Sequence, residues 1–184
     1  TYRGWPKEDR EAFLINAYNA ATVQLILTRY PDLKSIKDLG GLLSSPWKVK
    51  FFDLLGNTRS LDSIEHELLR GAADYSDPRI HFAVNCASIG CPALRPEAYL
   101  GDQLSVQLQD QTERFLKDRS RNRPGSDDKS VQVSKIFDWY AADFKAHTGG
   151  VPAFLADYAD SLGLDAAMNR QLREGTLQIE FTDY

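Results

Sequence analysis

The only two thiols of this 184-residue chain, Cys86 and Cys91, lie in one short stretch, RIHFAVNCASIGCPALRPEAY, residues 79–99. An apolar run ends in the first cysteine, and small residues lead to the second, which a proline follows. Four chemistries fit such a pair. A disulfide can close the C-x4-C loop if the two Cα atoms come within about 7 Å, although this is not the C-x-x-C spacing of thioredoxin-like redox pairs. A zinc site would have to recruit His81 and His66, and no ordinary zinc ligand spacing is matched. Inert packing suits a cysteine at the end of a buried run, because free cysteine is among the most buried residue types. A nucleophilic thiol is the fourth reading. It is favoured by the strand-to-loop address, by the small ASIG sequence, and by the flanking polar residues Asn85, Ser88 and Arg95.

A nucleophilic cysteine needs a partner that favours the thiolate, usually a histidine held by a third group. The chain offers His66, His81 and His147. His147, in KAHTGG after a helical stretch, reads as a cationic cap at a helix C-terminus. If 79–86 runs as a strand, His81 and Cys86, five apart, point to opposite faces. That leaves His66, with Glu65 beside it and Asp62 four residues earlier on the same helix face. Two asparagines, Asn16 and Asn19, share a face of an otherwise apolar helix. They either tie down neighbouring backbone or line a site.

The elements around these residues read as follows. A helix over 8–30 is apolar nearly all round and should be central and buried. Trp47, Val49 and Phe51 alternate with lysines, predicting a half-buried strand, and Gly56-Asn57 predicts a hairpin turn. SLDSIEHELLRGA reads as a helix capped by Ser60 or Ser63, with Leu61, Ile64 and Leu68 facing the core. RIHFAVNC is the expected interior strand. Residues 101–120 form an amphipathic helix, SVQVS a short strand, and KIFDWYAADFKAH a helix with a stripe of Phe137, Tyr140 and Phe144. Two short helices follow, and TLQIEFTDY is a closing strand. The sum is an α+β fold: one mostly helical domain spanning 1–184, around a small, mainly antiparallel sheet.

Composition excludes some functions. A net charge of −4 argues against binding nucleic acid through bulk electrostatics, and no apolar run approaches the length of a membrane span. The basic cluster KDRSRNRPG contains its own aspartate and reads as a solvated loop. The chain opens without a methionine, so it is expected to continue into a longer N-terminal region.

Five ordered motifs, AFLINAYNAATV, SPWKVKF, LDSIEHELLR, DPRIHFAVNCASIGCPALRPEAY and SKIFDWYAADF, resemble the DUF547 family. The resemblance implies a fold similar to papain-like or transglutaminase-like thiol enzymes, and no activity that defines the family. Bacterial members often carry export signals, so a periplasmic or cell-envelope location is expected over a cytoplasmic one. Cys86 matches the steadier of the two family cysteines, whereas the Cys91 position can be serine in plant members. This favours Cys86 as the chemical residue and counts against an essential disulfide. His66 matches the IEH histidine, and Asn16 and Asn19 the paired asparagines. Leu14 stands where the family usually has tryptophan.

The expectation is therefore a cysteine-dependent enzyme, a thiol hydrolase or an acyl or thiol transferase. Cys86 attacks, His66 serves as base, and Glu65 or Asp62 orients the imidazole. Backbone amides of the CASIG loop, or Asn16 or Asn19, hold the developing oxyanion. Asn16, Asn19, Asn85, Ser88, Cys91 and Arg95 line the substrate site, with no metal and no cofactor. The alternative is a binding module that captures a small thiol such as glutathione, or a peptide, without turnover.

Overall fold

The computed structural model describes residues 1–41, 45–71 and 76–182. It is a mostly helical α+β fold with a two-stranded and a three-stranded sheet. The chain divides into two compact units, one of residues 1–75, 84–88 and 94–107, the other of 76–83, 89–93 and 108–184.

The first unit is organised by α1, Lys7–Leu27. Pro6 is its N-cap, and Glu8 and Asp9 in the first turn complement the helix dipole. The buried face carries Leu14, Ile15, Tyr18, Ala21 and Leu25, while Val23 and Leu27 are exposed. The helix is thus one-sided rather than buried all round. Around Trp47 the chain forms a 3-10 turn, Pro46–Lys48, instead of the expected strand. Pairing begins later, with β1 (Phe52–Leu54) and β2 (Asn57–Arg59) in an antiparallel hairpin. Its two-residue turn, Leu55-Gly56, has both residues at positive φ, the geometry that matches strand twist.

Ser60 caps α2, Leu61–Ser63, in a reciprocal capping box with Ser63. One turn later the helix widens into a π-helix, Ile64–Leu69, closed by the Arg70 N–H donating to the Glu65 carbonyl. The extra residue shifts the phase of the apolar stripe. Leu69, not Leu68, is fully buried beside Leu61 and Ile64.

The second unit has a continuous core of Phe82, Phe115, Leu116, Val131, Val133, Phe137, Phe144, Phe154 and neighbours. The expected strand over 79–86 is absent. Asp77 caps a 3-10 turn, Pro78–Phe82, whose first residue is proline. An aspartate at the cap with proline at N1 starts a helical turn and supplies no strand pairing. Helix α3 (Leu104–Lys117) feeds β3 (Arg123–Pro124) and β4 (Ser130–Val133). After α4 (Ile136–Trp139), α5 (Ala141–Thr148), α6 (Val151–Asp157), α7 (Ala159–Leu162) and α8 (Ala166–Glu174), β5 (Gln178–Phe181) pairs parallel with β4. The last two residues of the predicted closing strand, 183–184, lie outside the described residues. No helix among the described residues is long and apolar enough to cross a membrane.

Candidate functional site

Three side chains fix the backbone around Cys86. From α1, the Asn19 carboxamide oxygen accepts the Asn85 N–H at 2.9 Å. The Asn85 side-chain oxygen then accepts the Ala87 N–H at 2.7 Å, an Asx turn that tolerates the left-handed backbone there. Ala87 sits at φ +58. The Trp47 indole N–H donates to the Cys86 carbonyl at 3.1 Å. The peptide group that follows Cys86 is therefore anchored at both its carbonyl and its N–H, and the one that precedes Asn85 at its N–H, so the cysteine is presented on a pinned turn.

Asn16, one turn earlier on α1, does a related job elsewhere. Its carboxamide donates to the Tyr99 carbonyl at 2.8 Å and accepts the Tyr99 N–H at 2.9 Å. Both asparagines hold backbone. Two of the donors proposed for an oxyanion are correspondingly engaged. Ala87 N–H is bound to Asn85, and both ends of the Asn16 amide are bound to Tyr99.

Both cysteines are disulfide-bonded, and neither carries a free thiol. The free nucleophile expected at Cys86 is absent in this state. Cys86 is half-buried, whereas Cys91 is buried at 3% exposure. Ser88 is half-buried in the same loop. Arg95, expected to bind substrate, is half-buried, with 8% of its side chain exposed. Its guanidinium reaches the Gln107 carbonyl at 3.5 Å, stands 3.6 Å from Glu97, and lies 5.9 Å from the centre of the Tyr99 ring.

His66 is exposed on the π-helix. Its Nδ1 lies 2.7 Å from Arg70 Nη1. A guanidinium can only donate, so Nδ1 accepts and the neutral ring carries its proton on Nε2. The carboxylate beside Nε2 is Asp62, at 3.8 Å; Glu65 is buried. The lone pair a base would use is thus engaged by Arg70.

A better-held histidine is one the strand argument set aside. His81 is almost fully buried, with Nε2 2.8 Å from Asp143 Oδ2 and its ring stacked on Tyr140 at 3.7 Å. Because 78–82 is a 3-10 turn, alternation between strand faces does not apply to it. The Asp77-Pro78 pair was the legible signal of that turn. Trp47 is the other residue that sequence reasoning missed. Its alternation with lysines suggested a strand, and nothing local announced a bond to a carbonyl thirty-nine residues away. Among the described residues, no three His, Cys, Asp or Glu side chains converge to hold a metal ion.

In the second unit, Asp77 makes a forked ion pair with Arg79, with Nη2 to Oδ2 at 2.7 Å and Nε reaching both carboxylate oxygens. Burial pushes the Asp77 carboxyl up, but hydrogen bonds and charge from Arg79 outweigh it and hold the pKa below its usual value. Gln109 accepts from both Arg79 and the Tyr158 hydroxyl. Burial raises the pKa of Tyr158. These groups wall a cavity of about 310 Å³ but satisfy one another across it.

Residues 2–116 match the family described as "Protein of unknown function, DUF547". The chain belongs to the DUF547 family. No curated protein and no solved structure matches it. The DUF547 match takes in α1 with both asparagines, the π-helix with His66, and the whole cysteine loop. It ends within α3, before the sheet and the helices that complete the second unit.

Proposed function

We propose that this DUF547 chain performs thiol transfer at Cys86, with the disulfide as the oxidised form of the site. A small thiolate such as glutathione attacks the Cys86 sulfur. The Cys86–Cys91 bond breaks, a mixed disulfide forms on Cys86, and the Cys91 thiolate leaves and takes a proton from solvent. A second thiolate attacks the mixed disulfide and releases the oxidised small thiol together with the reduced cysteine pair. This pass oxidises two small thiols and reduces the protein disulfide. A second, disulfide substrate, attacked by the Cys86 thiolate and displaced from the resulting mixed disulfide by Cys91, re-forms the protein disulfide and leaves as two thiols, which closes the cycle.

The observation that carries this reading is the asymmetry of the two residues. Cys86 is half-buried on a pinned turn, while Cys91 is buried, which favours attack by a thiolate at the first over the second. Thiol exchange also needs no oxyanion hole. Acyl transfer does, and the Ala87 amide and the Asn16 side chain, two of the donors it would use, are already bonded. Thiol transfer is therefore preferred to amide hydrolysis, and a His66 base is not required for it. Capture of the thiol without the second step is the binding-module alternative.

Incubating the oxidised protein with reduced glutathione, quenching with acid and mapping peptides by mass tests the proposal. The expected product carries one glutathionyl group on Cys86 and none on Cys91. An adduct spread over both cysteines, or none until the protein is unfolded, would overturn it. Release of oxidised glutathione distinguishes turnover from capture.

A further inference from the structure

A second feature of the first unit is independent of the cysteines. Trp5, immediately before α1, and Asp9, Ala12, Phe13 and Asn16 on one face of that helix line a concavity of about 350 Å³, closed by Tyr99, Leu100 and Gly101. The indole of Trp5 meets the Phe13 ring at 88°, with centroids 5.6 Å apart. Two rings at right angles present two aromatic walls of one corner. Tyr2 packs on both, 5.8 Å from Trp5 and 5.7 Å from Phe13, and fixes their orientation. Trp5 nevertheless keeps 44% of its surface exposed.

The Asp9 carboxylate lines the same concavity, one helical turn from Phe13 on the same face. It is pressed against Gly101, where a β-carbon would collide with the carboxylate and come within 2.7 Å of the Asp9 amide nitrogen. Only glycine leaves that space. The rest of the rim is rigid, because the two hydrogen bonds between Asn16 and Tyr99 clamp segment 99–101 to the helix.

The hydrogen-bonding capacity of the concavity is almost entirely used. Asn16 is taken on both sides by Tyr99, the Leu100 carbonyl accepts from Gln103, and the Gly101 carbonyl accepts from Leu104. What the corner chiefly offers a ligand is two aromatic faces and one negative charge. A primary ammonium or guanidinium brings several N–H donors that would find one acceptor. A quaternary ammonium brings none and is attracted both by ring quadrupoles and by the carboxylate. The Arg95 guanidinium beside the Tyr99 ring leaves Trp5 and Phe13 as the walls for the cation.

We propose that the Trp5–Asp9–Phe13 corner binds a quaternary ammonium group. The test titrates the intact chain with choline and, separately, with its neutral carbon isostere 3,3-dimethylbutan-1-ol, following the three indole N–H signals by NMR. The expected result is a saturable shift of the Trp5 signal by choline, with Trp47 and Trp139 unmoved. The neutral isostere should bind about fivefold more weakly, the scale of one exposed cation–aromatic contact. Asp9→Asn, an exposed substitution whose folding is checked by a cooperative urea transition of unchanged slope, should weaken choline severalfold and leave the isostere unaffected. Trp5→Leu should weaken choline more than the isostere and so narrow the discrimination between the two, and Trp5→Phe should retain more of it. Equal affinity for choline and isostere, an Asp9→Asn variant that binds choline as wild type does, or a Trp5 signal that never moves would each overturn the proposal.

Discussion

The two asparagines of α1 make a paired experiment, because they share chemistry and helix face but hold different backbone. Asn16→Ala deprives both polar groups of Tyr99 of their side-chain partner. Asn19→Ala deprives the Asn85 N–H of one. A buried group left unsatisfied costs about 1–3 kcal/mol, and less where water can replace the lost partner. Asn16 and Asn19 are both half-buried, so the lower end applies. We expect Asn16→Ala to lose about 2–3 kcal/mol and Asn19→Ala about 1–1.5 kcal/mol. For a chain of this size the former corresponds to a fall in Tm of roughly 4–10 °C. Urea unfolding with unchanged slope would measure both. The rate of disulfide reduction by glutathione should rank the variants in the opposite order. Asn19 holds the turn that presents Cys86, so its loss should speed reduction about fivefold, the scale of about 1 kcal/mol in local opening. Asn16, the more destabilising substitution, should leave the rate near that of wild type. If reduction simply tracks global stability, with Asn16→Ala the faster, the pinned-turn account of Cys86 is wrong.

Other outcomes follow from the same geometry. Ala87 pays a left-handed backbone penalty of roughly 1 kcal/mol, so Ala87→Gly should be neutral to mildly stabilising, while the β-branched Ala87→Val should destabilise by at least about 2 kcal/mol, both read from urea midpoints. The π-helix makes Leu69→Ala the severe substitution, at about 2–5 kcal/mol, and half-buried Leu68→Ala the mild one; a regular helix would reverse that order. Asp77 has its carboxyl pKa depressed below 3.8 by Arg79. Its contribution to stability is complete above the unfolded-state pKa and is lost as pH falls through the lower folded-state value. Asp77→Asn should therefore lower the Tm at pH 7 and have little effect once the wild-type carboxyl is protonated, which thermal melts across the acid range would check.

What the sequence disclosed depended on whether the signal was local. The helical patterns of α1 and α3, the Ser60 cap, the hairpin and the β4 strand all rest on residues within a few positions of one another, and all are present. The failures have the same origin in reverse. RIHFAVNC is apolar at nearly every position, which states that it is buried without stating how. The capping aspartate and the proline just ahead of it determine the conformation, and those two residues direct a helical turn. The regular helical period places Leu68 in the core, but one extra residue enters the turn in this segment and puts Leu69 there instead. That extra residue leaves no mark in composition.

The candidate site was legible as a list of residues and illegible as a mechanism. Cys86, Asn19 and Asn85 do meet around one turn, but they meet through backbone hydrogen bonds, and those bonds run from side chains to peptide groups that every residue possesses. A sequence pattern cannot say which peptide group an asparagine will choose. The same ambiguity bears on chemistry. An asparagine at a cysteine can be an oxyanion donor or a brace, and the two roles are exclusive wherever its hydrogen-bonding capacity is fully used. Asn16 both donates to and accepts from Tyr99, which fixes it as a brace, and the Ala87 amide is occupied by Asn85. That occupancy moves the balance from acyl chemistry, which must stabilise a new oxygen charge, toward sulfur exchange, in which the charge passes from one sulfur to another and a rigid, accessible Cys86 suffices.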